Sequence, residues 1–153
     1  MKKYILIFVS LFFAFEMLAL SPAESFVKKY EDLKGVRCIQ VAGAKMRFAR
    51  PVLKRYPIGP MSDCVNEVIV LNMEKASEQD KSHFMKELHR VLRQYEYVGK
   101  SDSPNGEVDV YLNLESPEFV DEIVIYNPEL MTVNILAGKF PVPDLKKIQT
   151  VKR

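Results

Sequence analysis

Cysteine is scarce in this 153-residue chain, where Cys38 and Cys64 are the whole supply. So few thiols exclude a small fold stapled by disulfides, and their spacing excludes a zinc ribbon. Histidine is equally scarce, with His83 and His89 alone. An excess of one charge is lacking too, since 22 basic and 20 acidic side chains nearly cancel. No overall field draws such a chain to nucleic acid. There is no G-x-S-x-G, no phosphate-cradling glycine loop, no EF-hand loop, no internal repeat and no low-complexity tract. These absences leave a length suited to one domain whose core rests on apolar side chains rather than on metals or cross-links.

One long apolar run is present, at the start. Lys2 and Lys3 precede Tyr4 to Leu20, in which only Ser10 and Glu16 interrupt aliphatic and aromatic side chains. A positive start followed by a short apolar stretch is the layout of an export signal. Ser21-Pro22-Ala23 supplies small residues at the −3 and −1 positions of a cleavage site, with Ala23-Glu24-Ser25 as a second candidate. Residues 1–23 are therefore expected to be a signal peptide and residues 24–153 a single exported domain, periplasmic or secreted. No transmembrane span is expected after its removal, because a spanning helix needs roughly 20 apolar residues and Glu16 sits inside this run. Two lysines and one glutamate leave with the signal, and the remaining domain is nearly neutral.

Along that domain, Phe26, Val27, Tyr30 and Leu33 recur at helical spacing from Ser25, and Gly35 closes the segment as a C-cap. Val36 to Val41 reads as a strand. From Ala44 to Lys54, Met46, Ala49 and Leu53 share one helical face and Arg47, Arg50 and Lys54 another, with a break expected at Pro51. A Pro/Gly loop from Arg55 to Cys64 leads to a second strand, Val65 to Leu71. Ser77 with Asp80 resembles a capping box, and Phe84, Leu88, Val91, Leu92 and Tyr95 form one apolar stripe of a helix over 77–97. Beyond it the period falls to two: Val108, Val110, Leu112 and Leu114 alternate with Glu107, Asp109, Tyr111 and Asn113. Turn residues divide this half into strands at 98–101, 107–114, 120–126 and 131–137. Short connections make neighbouring strands antiparallel. The expected fold is α+β, an antiparallel β-meander packed on one face by helices, with the 77–97 helix as chief packing partner. A last helix is expected near Pro143 and Asp144, docking Leu145 and Ile148.

Gly35-Val36 leading into a strand, the basic Lys45-Met46 segment, Val108-Asp109-Val110-Tyr111, Val133-Asn134-Ile135-Leu136-Ala137-Gly138 and the terminal Asp144-Leu145 together carry a resemblance over most of the exported part. They resemble the exported family described as domain of unknown function 4252, found mainly in Bacteroidetes-type bacteria. The resemblance implies an exported α+β domain with no established activity, and it supplies no catalytic residue and no cofactor.

Several residue groups invite a chemical reading. Cys38 and Cys64 each fall at a strand, so a disulfide is possible if the Cα atoms come within about 7 Å. His83, Glu87 and His89 offer metal-binding or proton-transfer groups on a helix. Six residues separate the two histidines, which places them about 120° apart around the helix, and the four-residue pair of a zinc site is missing. Asp109 and the pair Asp121-Glu122 are candidate paired carboxylates if the meander brings them together. Lys45, Arg47, Arg50, Lys54 and Arg55 form a basic segment without an acidic residue, suited to lipid phosphates, an acidic glycan or an acidic partner. Ile58 and Met61 follow it in the loop, either folding back on the core or joining a contact surface. The expected function is a non-enzymatic envelope domain that binds a protein or an anionic surface component through this segment, with no metal and no cofactor. The competing class is a small hydrolase or metal-dependent enzyme, and a third is a subunit that self-associates through a sheet edge.

Overall fold

The computed structural model describes residues 20–56, 58–114 and 118–145. Of the expected signal peptide, residues 1–23, the first 19 lie outside that part, as does Ile148, whereas residues 20–23 are described. In chain order the elements are α1 (Pro22–Tyr30), β1 (Arg37–Ala42), a 3-10 turn (Gly43–Lys45) running into α2 (Met46–Leu53), a 3-10 segment (Gly59–Cys64), β2 (Val65–Asn72), α3 (Glu78–Leu92), β3 (Glu96–Ser103), β4 (Gly106–Leu114), β5 (Phe119–Asn127), β6 (Thr132–Pro141) and the short α4 (Val142–Leu145).

The strands form a six-stranded sheet in the order β1-β2-β6-β5-β4-β3. Every neighbouring pair is antiparallel. The last four strands are a meander, as the two-residue alternation and short turns predict, and β2 closes against β6 with β1 outside it. Each predicted strand is present, longer by a few residues where pairing extends past the alternating core.

Strand alternation sends side chains to two faces, and each face has its own core. On the front face, Leu71, Val124, Tyr126, Val133 and Ile135 pack beneath α1 and α3. The stripe Phe84, Leu88 and Leu92 is fully buried there. Phe26, Tyr30 and Phe84 join the two helices, with ring centroids 5.0 to 5.2 Å apart. Ser77 caps α3, its hydroxyl accepting from the Asp80 amide at 3.1 Å. On the back face, Val65, Val68, Val110, Ile123, Ile125, Leu136 and Phe140 pack beneath α2 and the 3-10 segment. Helices thus cover both faces, not one. The second layer exists because the central strands β2, β6 and β5 carry apolar side chains on both sides, leaving the back face too apolar to meet water.

Three local expectations change. Helix α1 begins at Pro22, capped by the Ser21 hydroxyl, which accepts from the Glu24 amide at 3.1 Å. Gly35 is not its cap: the helix ends at Tyr30 and turns follow. Gly35 is needed for a different reason, since it has φ +83° and a Cβ there would stand 2.1 Å from the Lys75 carbonyl oxygen. Finally, α2 runs through Pro51 without a break. The carbonyl that Pro51 cannot bond belongs to Arg47, and both residues are exposed, so water can take its place.

Candidate functional site

Helix α2 lies across the back face with an unusual division of its surface. At 100° per residue, Met46 and Leu53 point inward, Arg50, Lys54 and Arg47 gather on one flank, and Phe48 and Val52 lie on the other. Met46 and Leu53 are buried, as that division requires. Phe48 is 73% exposed and Val52 56% exposed. The Arg47 guanidinium lies 5.4 Å from the Phe48 ring centroid, a cation–π distance.

None of Arg37, Lys45, Arg47, Arg50, Lys54 and Arg55 has an acidic partner among the described residues. The chain holds no aspartate or glutamate from Leu33 to Ser62, a stretch containing seven lysines and arginines. A positive field over β1 and α2 follows directly. Arg50 is half-buried, and its Nε is buried without a hydrogen-bond partner. An unmet buried donor of this kind costs stability, while the residue as a whole stays half-exposed.

Beside the apolar flank of α2 runs a groove of about 410 Å³. Its floor is the back face of the sheet, from Ile39 and Val41 on β1 across Val68 and Val70 to Leu136 and Ile125, and its roof is Ala49, Val52, Leu53, Tyr56 and Ile58. Register explains the floor: Ile39, Val70, Asn134 and Ile125 stand in one cross-strand row, and Val41, Val68, Leu136 and Ile123 in the next. Asn134 is the single amide in an otherwise aliphatic floor. On the β4 side the roof is tied down, since the Tyr56 hydroxyl accepts from Asn105 Nδ2 at 3.0 Å and the Asn105 carbonyl accepts from Asn127 Nδ2 at 3.1 Å. On the β1 side it is open, where Ile39 is 52% exposed.

A second, smaller cleft of about 220 Å³ lies on the front face between α1 and the β1–β2 pair, lined by Glu24, Lys28, Glu31, Cys38, Gln40 and Glu67 among others. Burial pushes the Glu24 carboxyl upward, helped by the charges of Glu122 and Glu67. Glu122 lies deeper, where its carboxylate accepts from the Tyr95 hydroxyl. That hydroxyl in turn accepts from the Ala23 amide at 3.0 Å, so Glu122 anchors the start of α1 to the sheet. No group of three or more metal-ligating side chains occurs among the described residues.

The remaining sequence candidates are dispersed. His83 Nε2 meets Glu87 Oε1 at 3.0 Å on an exposed face, while Lys29 Nζ lies 3.9 Å from Glu87 Oε2; His89 is exposed. Asp109 accepts from the Tyr97 hydroxyl at 2.9 Å and faces Lys100 Nζ at 3.5 Å. Asp109 stands opposite Tyr126 on β5, whereas Glu122 stands opposite Asn113. Four residues of strand, about 13 Å, therefore separate the supposed carboxylate pair. Asp121 sits at the irregularity between Val120 and Glu122, with Oδ1 buried and unpartnered.

Both cysteines are free, so of the two alternatives left open by the sequence the structure shows the unbridged one. Cys38 stands opposite Leu71 at one end of β2, whereas Cys64 precedes Val65 at the other, about 20 Å away along the strand. They also pack against opposite cores, Cys38 in front and Cys64 behind. Ile58 and Met61 are only 1% and 2% exposed, so of the two alternatives for this loop they take the core, and neither offers a contact surface. With Tyr97 and Leu114 exposed elsewhere on the sheet, the exposed large apolar side chains around α2 and β1 are instead Phe48, Val52 and Ile39. Their signal in the sequence was the i,i+4 pair Phe48 and Val52, which fits neither the buried nor the basic face of α2.

No family model, curated protein or solved structure matches the chain. Among the described residues no helix is long and apolar enough to cross a membrane.

Proposed function

We propose that this chain is an exported, non-catalytic binding domain of the cell envelope that engages an anionic surface component through the basic flank of α2. The observation that carries the reading is the row of cations without acidic partners, with the buried, unpartnered Arg50 Nε among them. Solvated surface lysines and arginines are ordinarily interspersed with acids. Here thirty residues pass without one. Phe48 and Val52 beside the cations suit a surface that is charged outside and apolar just beneath, as a lipid headgroup layer is. Export and the expected resemblance to a family of exported domains belong to the same reading, because an exported domain would meet such surfaces.

Co-sedimentation with vesicles tests it. The chain is expected to bind vesicles rich in anionic phospholipid and to ignore purely zwitterionic ones. Each basic side chain near such a surface contributes about 1 kcal/mol, so Arg47→Glu/Arg50→Glu should weaken binding at least thirtyfold, with roughly 30 as the lower bound set by two lost charges. Binding should also fall as salt rises. Equal binding to both vesicle types, or no effect of the double reversal in a folded protein, would sink the reading.

A further inference from the structure

The apolar groove is a separate feature from the cationic flank, and its dimensions and chemistry define an occupant. About 410 Å³ lies within the usual range of small-molecule sites, near its lower end. At ~30 Å³ for a group the size of a water or a methylene, the groove holds roughly a dozen such groups in a row. That suits one hydrocarbon chain and not two. The floor is aliphatic and elongated across four strands, and it offers almost no polar group that would fix the orientation of an aromatic or sugar-like ligand.

The open end lies at β1, and the side chain that stands there is cationic. Along β1 the odd-numbered residues share the back face, so Arg37 follows Ile39 at about 7 Å along the strand. Arg37 is exposed and has no acidic partner among the described residues. A guanidinium presents a fork that matches a carboxylate in bidentate fashion. Charge also decides against a second copy as occupant: a two-fold contact through this edge would set Arg37 and the cations of α2 against their own kind.

We propose that the back-face groove binds one long-chain carboxylic acid, its hydrocarbon chain lying between α2 and the sheet and its carboxylate held by Arg37. The headgroup half of this proposal rests on the anionic reading above; the chain half rests on the groove alone.

The test is isothermal titration of the purified chain with straight-chain saturated carboxylates and the matching alcohols. One site per chain is expected, with affinity rising about tenfold for each two added methylenes until the groove is full at roughly a dozen, then levelling. Arg37→Gln should weaken the acids between about 10- and 100-fold while leaving the alcohols unchanged. Ala49→Phe, which fills the groove from its roof, should abolish binding with helical circular dichroism retained. Should that variant unfold, Val52→Asp serves instead, since Val52 is exposed and the new carboxylate would repel the ligand at the open side. Absence of binding, affinity independent of chain length, or unchanged binding in both groove variants overturns the proposal. So does a concentration-dependent dimer that Val52→Asp dissociates while no acid binds, because a second copy would then be the occupant. Failure of the vesicle experiment with intact chain-length dependence removes the surface reading and keeps the groove; the reverse result removes the groove alone.

Discussion

Glu122 is a carboxylic acid placed where water cannot reach it, and it shows how one residue ties sequence to pH behaviour. Burial pushes its carboxyl above the ordinary 4.5; hydrogen bonds from Ser21 and Tyr95 oppose that without cancelling it, and the Asp121 charge adds to it. Glu24 nearby shifts in the same direction, first through burial. A raised folded pKa means that the folded chain binds this proton more tightly than the unfolded one. The resulting stability is complete below the unfolded value and is lost as pH rises through the folded value. Urea unfolding of the wild type should therefore show stability falling as pH climbs above about 4.5, and Glu122→Gln, which keeps an acceptor for Tyr95, should flatten that fall. An unchanged slope in the variant would place the titration elsewhere. The sequence marked Glu122 as a possible catalytic partner of Asp109. It could not mark it as an anchor, because its contacts, Ser21 and Tyr95, come from other elements.

Among the elements, α3 and β4 were the most legible because each buries one face and wets the other, so period and burial coincide. Helix α2 was only half legible. Its inward residues Met46 and Leu53 and its basic flank follow from spacing, but Phe48 and Val52 belong to neither, and no local rule says that an apolar flank will stand beside a groove. The groove was beyond reach from sequence: its walls come from β1, α2, β2, β5 and β6, and their meeting depends on sheet order. Pro51 offers an element-scale test. Its ring removes one hydrogen bond from an exposed helix, a penalty of roughly 3 kcal/mol against alanine, while proline stiffens the unfolded chain by about 1 kcal/mol. Pro51→Ala is therefore expected to stabilise the fold by about 2 kcal/mol in urea unfolding, with vesicle binding retained. A loss of stability would mean that the helix depends on the proline for its path across the sheet.

At the scale of the whole molecule, a sheet with helices on both sides separates groups that sequence had placed near one another. Cys38 and Cys64 illustrate the effect: the strand pairing that joins their neighbourhoods also sets them at opposite ends and on opposite faces. Thiol titration in denaturant should find both cysteines of each chain free, and melting should be the same with and without reductant. One free thiol or none would mean a bridge that this register forbids. The front face contributes its own constraint through α1. Ser21 caps the helix, the Ser25 amide donates to the Ser21 carbonyl at 2.9 Å, and Ala23 is held beneath Tyr95. The bond between Ala23 and Glu24 thus lies inside a closed helical turn, whereas a peptidase takes its substrate extended. Cutting there requires that turn to open, which in the folded chain means pulling α1 from Glu122 and the sheet. If the chain is cut at this bond, as its small residues lead one to expect, the cut comes before folding, because the docked α1 holds the bond in a closed turn.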